Sequence, residues 1–240
     1  MGVLTDHHIR GVYHFAPLHY LAFIARANSL LSKPELLRHG FPQTHLRSMS
    51  SKQDASRGFS AYVHLTLDTH PPILRSKLAA GFPHIQLTLK PEKVEATDYC
   101  LCRYNIAMTR YLRRGTKPGF QASATNGRYY GRLAIPVAKT ESDKSAMLTA
   151  HEGRGTMIEV LVARKIQLPA DTTVTCYSLA DATIARRVLD ALESPWRVAS
   201  ITSPTPYPRV ARYSAQVSTF LECAVSDPSW KGNGLEFDRV

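Results

Sequence analysis

No stretch of the sequence approaches the roughly 20 apolar residues that a membrane-spanning helix requires. The opening residues, MGVLTDHHIRGVYHF, hold no apolar run ahead of a small-residue cleavage site, and Asp6 stands where a myristoylation signal needs Ser or Thr. Both absences lead us to expect a cytoplasmic protein with no membrane partner. Cysteine is scarce: Cys100, Cys102, Cys176 and Cys223 show neither CxxC spacing nor an alternation with histidine, so they read as free thiols, and neither a zinc site nor any other metal is expected. Phosphate-cradling glycine loops of the GxGxxG or GxxxxGKS/T kind do not occur, nor does a GxSxG elbow or an HExxH helix. Dinucleotide-binding Rossmann domains, P-loop enzymes, α/β-hydrolases and zinc proteases therefore lose their main support. Acidic residues are also few, 19 against 30 Lys and Arg, and the resulting net charge of +11 favours a polyanionic partner such as nucleic acid.

What remains is an ordinary globular composition, 44% hydrophobic and 20% charged over 240 residues, enough chain to bury a core unaided. Helix and strand signals alternate irregularly, so the expected class is α+β, in one domain over residues 1–240 with a core at about 11–193 and a C-terminal extension at 194–240. A strand is expected at Gly11–Phe15, stopped by Pro17, then a helix over Leu18–Ala25 with Leu18, Leu21, Ile24 and Ala25 in one stripe. Leu30-Leu31-Ser32 reads as a turn into a helical piece over Pro34–Arg38 that Gly40 closes. Residues 41–58 are polar, basic and aperiodic, a loop long enough to be functional.

Strands follow at Ala61–Leu67 and His84–Leu89, with a short helix from Pro72 to Ala80 between them. Arg103–Arg114 has helical spacing, while Phe120–Ala134, centred on Asn126-Gly127, reads as a loop or hairpin. Thr156–Ala163 is the strongest strand in the chain, almost continuously apolar, as in strands buried on both faces. Val174–Ser178 is a further strand, and Asp181–Leu192 an amphipathic helix capped by Asp181.

Glu159 interrupts that strongest strand. A carboxylate there is costly unless it is hydrogen-bonded, paired, or set over a cleft; the competing reading is a solvent-facing residue on a one-sided sheet. The glycine-rich run His151-Glu152-Gly153-Arg154-Gly155 leads into it. In the first strand, His14 between Tyr13 and Phe15 can bond a ligand hydroxyl or serve as a satisfied core histidine. Arg47 and Arg57, in the polar loop, have the planar fork that matches diphosphate oxygens, although each alone is more often a solvated charge.

In order along the chain, Tyr13-His14-Phe15, the helix over Leu18–Ala25, Leu30-Leu31-Ser32, the basic loop, the AYVHLTL strand, Asn105 in RYNIA and IEVLV with Glu159 resemble the DarT-like ADP-ribosyltransferases. The resemblance covers roughly residues 11–169 and rests on the order and spacing of short motifs. It implies an ADP-ribosyltransferase-like fold with a central mixed, mostly antiparallel sheet flanked by helices. NAD would be the ADP-ribose donor, with no metal. Glu159 would be the catalytic glutamate and Arg57 a second catalytic residue, Arg57 rather better than Arg47 would hold the diphosphate, and Tyr13, His14 and Thr66 would line the NAD site. Two departures stand out: Ile106 separates Asn105 from Ala107, and Pro72-Ile73-Leu74 replaces the Pro-Met-Leu of the family.

Relatives of this kind act as toxins on nucleobases in toxin-antitoxin or phage-defence systems. The resemblance thus implies single-stranded DNA or RNA as acceptor and an antitoxin protein as a possible partner. Arg128, Tyr129 and Tyr130, beside Asn126-Gly127, are candidates to hold the strand by charge and stacking, or are merely the exposed residues of a hairpin. A protein side chain as acceptor, or a non-catalytic nucleic-acid-binding module, are the alternatives that the residues leave open.

Overall fold

The computed structural model describes residues 2–41, 58–103, 111–112, 121–125, 128–132, 137–151, 158–201 and 211–231. Arg47, Arg57, Asn105, Asn126-Gly127 and Glu152–Gly155 lie outside the described residues. Thirteen strands run in chain order: β1 (Val12–Pro17), β2 (Ser29–Leu31), β3 (Tyr62–Thr66), β4 (His84–Leu89), β5 (Tyr99–Arg103), β6 (Tyr111–Leu112), β7 (Gln121–Thr125), β8 (Arg128–Arg132), β9 (Val137–Ala138), β10 (Ile158–Ala163), β11 (Lys165–Gln167), β12 (Thr173–Cys176) and β13 (Arg197–Ser200), counted among the described residues.

Eight of them form one sheet in the order β13-β12-β4-β1-β3-β10-β5-β9. Among the described pairs only β12 with β13 is parallel, so the sheet is mixed and mostly antiparallel, as expected. β10, the most apolar strand, sits between β3 and β5, and every residue from Ile158 to Val162 is buried.

The period-2 alternation of strand side chains sorts these residues by face. Ile158, Val160 and Val162 join Val63, Leu65, Leu87, Val12 and Val174 in one large core. Helices Leu21–Ala27, Leu179–Ala191 and Ala211–Ser226 pack on one another and contribute to that same core through Leu21, Phe23, Val188, Leu189, Phe220 and Leu221. The opposite face carries two small apolar clusters: Cys100, Cys102 and Leu161 with Phe59 and Tyr62 beside them, and Leu74, Leu78 and Tyr177 against Phe15. The four cysteines are free thiols. Among the described residues no helix is long and apolar enough to cross a membrane.

Three local expectations are corrected. Leu30 and Leu31 belong to a strand, β2, not a turn: Asn28 ends the preceding helix in the left-handed region (φ 46°), and Leu30 then pairs with Ile166 of β11, burying both. Such a partner, far along the chain, is invisible to local pattern. The helical spacing over Arg103–Arg114 is likewise overruled at both ends, where Arg103 closes β5 and Tyr111-Leu112 pair with β8. Finally, the cap of helix Leu179–Ala191 is Ser178. Its Oγ accepts from the Asp181 N–H at 3.1 Å and donates to Asp181 Oδ2 at 2.7 Å, so Asp181 is the reciprocal partner three residues in.

Candidate active site

Glu159 lies on the second face of β10 and is 5% exposed. Its neighbours in register are Thr66 of β3 and Cys102 of β5. A buried carboxylate needs a donor, and here His64 supplies it: the His64 Nδ1 stands 2.9 Å from Glu159 Oε1. The other ring nitrogen, Nε2, donates to the Phe59 carbonyl at 3.3 Å, the same oxygen that accepts the Tyr62 N–H and closes the turn into β3. His64 is the more open of the pair, with 29% of its side chain exposed against 7% for Glu159.

His14 enters the same chain of bonds from the other side. β1 meets β3 at the register pair Tyr13↔Thr66, and beyond it β3 runs on beside β10. The ring of His14 takes up a backbone group at that divergence, its Nδ1 lying 3.0 Å from the His64 carbonyl. A carbonyl only accepts, so Nδ1 carries the proton. Burial holds the His14 pKa down at about 4, so near neutral pH the imidazole is uncharged and its Nε2 presents a lone pair. A lone pair so placed can accept from a ligand hydroxyl.

Tyr13 shares the Glu159 face through its pairing with Thr66, and burial raises its phenol pKa. Thr66 is adjacent too, but its hydroxyl is engaged locally: it donates to the Ile158 carbonyl at 3.3 Å and accepts the Asp68 N–H at 3.0 Å, which shapes the exit of β3. Arg128, Tyr129 and Tyr130 lie in β8, the middle strand of a separate three-stranded sheet with β6 and β7, which carries the expected hairpin. The structure therefore sets Tyr13 and Thr66 beside Glu159 on one face, and ties His14, whose register partner Leu87 belongs to the other face, to this group through the backbone carbonyl of His64.

It also adds His64, which pattern reading of AYVHLTL passed over. The signal was there in part: Tyr62, His64 and Thr66 are the alternate, more polar positions of that strand, hence one face. What it lacked was the register that sets this face beside Glu159.

The two strongly shifted histidines set a pH limit on the fold. His14 and His84 both have pKa values lowered to about 4, chiefly by burial; His84 donates Nδ1–H to the Phe82 carbonyl at 3.1 Å. The unfolded chain binds these protons near pH 6.5, the folded chain only near 4, so their contribution is complete above pH 6.5 and is lost as the pH falls towards 4. Scanning calorimetry is expected to show Tm falling across that window, and the fall is expected to shrink in His84→Gln. An unchanged slope in the variant would remove His84 from this account.

With the geometry established, comparison with known proteins is informative at the level of fold. No family model matches the chain, and no curated protein sequence does. Solved structures do. DarT of Thermus sp. 2.9 in complex with ADP-ribosylated ssDNA superposes with a TM-score of 0.54 at 13% identity, over 81% of this chain and 95% of that one. The same protein in complex with NAD+ gives a TM-score of 0.53 at 12% identity, over 80% and 94%. The chain therefore has a DarT-like fold, the α+β architecture that the resemblance in its motifs implied.

Proposed function

We propose that this protein is an ADP-ribosyltransferase that moves ADP-ribose from NAD to a base of single-stranded DNA. The observation that carries this reading is the buried Glu159, held by His64 at 2.9 Å in an interior strand of a DarT-like sheet, with the neutral ring of His14 bonded to the backbone of that same His64. The DarT structures of similar fold hold NAD+ in one case and ADP-ribosylated ssDNA in another.

In this reading the C1′–N1 bond of NAD breaks and nicotinamide leaves with the bonding electrons. A ring or exocyclic nitrogen of the base then forms the new bond to C1′ and gives up a proton. Positive charge develops on the ribose as the bond breaks, and a fixed carboxylate in a water-poor site stabilises that charge far more than it stabilises neutral ground-state ribose. Glu159 fills this role and is also placed to take the proton. His14 accepts from a ribose hydroxyl through Nε2, and Arg57 or Arg47 clamps the diphosphate. Tyr13 and Thr66 complete the wall of the donor site.

The surplus of cations, +11 overall, suits a strand that brings its own counterion layer. We assign Arg128, Tyr129 and Tyr130 of β8 to that contact, where charge and stacking hold an unpaired base without reading its sequence. Modification of DNA bases is damaging to a cell, so we also assign the protein a toxin role, with an antitoxin protein as its natural partner.

The test is mass spectrometry of short single-stranded DNA, single-stranded RNA and lysate protein after incubation with the protein and NAD. A DNA product heavier by one ADP-ribose, with free nicotinamide, is expected. Transfer to RNA or protein alone would replace the acceptor in this reading, and absence of any nicotinamide release would overturn it. Expression in a bacterial host is expected to arrest growth; harmless expression of active enzyme would remove the toxin role.

A further inference from the structure

We infer that His64 is a positioning residue for Glu159: a doubly protonated imidazole that ties the carboxylate to the turn before β3 and so fixes the direction in which it meets the ribose. The kinetic side of this inference rests on the transferase reading above.

The argument is one of donors and acceptors. The Phe59 carbonyl only accepts, so His64 Nε2 carries a proton. Glu159 as the carboxylate that the transferase reading requires also only accepts, so in that reading Nδ1 carries the other. The ring is thus a cation set against an anion at 2.9 Å, a charge-assisted bond in a partly buried place. Each end of the link is anchored. Phe59 belongs to the turn that the Tyr62 N–H closes, and Glu159 is locked in register between Thr66 and Cys102. The carboxylate therefore cannot rotate without breaking the bond to His64.

Other titratable groups surround the pair. From β1 come Tyr13 and His14, the latter bonded to the His64 carbonyl; from β3 comes Tyr62. From β5 come Cys100, Cys102 and Arg103, and next to β9 lies Lys139, which with Glu159 acts on the Cys100 thiol. Burial pushes that thiol up to about 11, so it stays protonated and adds no charge beside the pair. His14 is neutral for the reason given above. The imidazolium of His64 is accordingly a cation that the geometry sets directly on Glu159.

Two variants separate positioning from mere packing. His64→Leu keeps volume but offers no donor, whereas the amide nitrogen of His64→Asn falls where Nδ1 stands in the histidine. His64→Leu is expected to lower kcat roughly 10- to 100-fold while leaving KM for NAD close to wild type, because a misaligned catalytic group costs rate more than binding. His64→Asn is expected to recover most of that loss. A wild-type kcat in His64→Leu, equal losses in both variants, or a loss confined to KM would each overturn the inference.

A second measurement needs no turnover. Nitrogen NMR of the wild-type His64 ring at neutral pH is expected to show a proton on both nitrogens, and in Glu159→Gln a neutral ring. A neutral ring in the wild type overturns the pairing even where transfer occurs. A protonated ring in a protein that transfers nothing leaves the pairing standing and overturns the transferase reading instead.

Discussion

Glu159→Gln is expected to reduce ADP-ribose transfer about a thousandfold or more, with the folded state and NAD binding retained. The substitution keeps the shape of the side chain and removes its charge. Charge is what a developing oxocarbenium ion requires, since the bound donor gains positive character at C1′ only as nicotinamide departs, and an amide dipole answers that gain weakly. In the proposed reading binding of intact NAD rests on other groups, His14 and the loop arginines, so KM or a direct titration is expected to move little. The fold tolerates the change because the glutamine amide N–H can donate to the Nδ1 lone pair of the now neutral His64 ring, whose Nε2 proton stays on the Phe59 carbonyl, so both groups keep a partner. Tm within a few degrees of wild type, nicotinamide release at background and thermal stabilisation by NAD intact would together place Glu159 in the chemical step. Transfer at the wild-type rate would take the catalytic role away from it.

Glu159 was legible in the sequence because it breaks a physical rule in isolation: a carboxylate within Ile158–Ala163, otherwise wholly apolar, demands an explanation whatever surrounds it. His14 was legible more weakly, as a polar ring in a strand of β-formers, and its bond to the His64 carbonyl could not be read at all. His64 marks the limit. Its part depends on contact with a residue 95 positions away, set by the register of β3 against β10, and a single sequence carries no local trace of that pairing. The same physics accounts for β2, whose apolar residues find their partners in β11. Where one element contains its own reasons, as in the alternation of His84–Leu89, the expected bounds and the observed ones coincide. The cap at Ser178 shows the intermediate case, in which both residues of the box are local and the choice between them turns on a single hydrogen.

Phe220→Ala is expected to be the most destabilising single truncation in the C-terminal region, costing about 3–5 kcal/mol. Phe220 is fully buried, and its ring is met by four others: edge-on by His19 at 4.9 Å, Phe23 at 5.6 Å and Tyr20 at 6.2 Å, and by Trp230 at 4.7 Å. These rings come from two separate stretches of chain, residues 19–23 and Trp230, so deletion of the central one leaves a cavity that no single side chain can turn to fill. For a chain of this size each kcal/mol moves Tm by about 2–4 °C, which puts the expected drop at roughly 6–20 °C by calorimetry. The consequence for function follows from the faces of the sheet. Phe220 belongs to the large core, while Glu159 and His64 stand on the other side, so well below its Tm the variant is expected to transfer ADP-ribose at close to the wild-type rate. Glu159→Gln and Phe220→Ala thus form a crossed pair, one stable and inactive, the other active and heat-sensitive. A Phe220→Ala protein as stable as wild type would show that residues 211–226 are an appendage, and the core would then end before them. A stable but inactive one would show that the aromatic cluster reaches the site through Leu18–Tyr20, the short helix that directly follows the strand of His14.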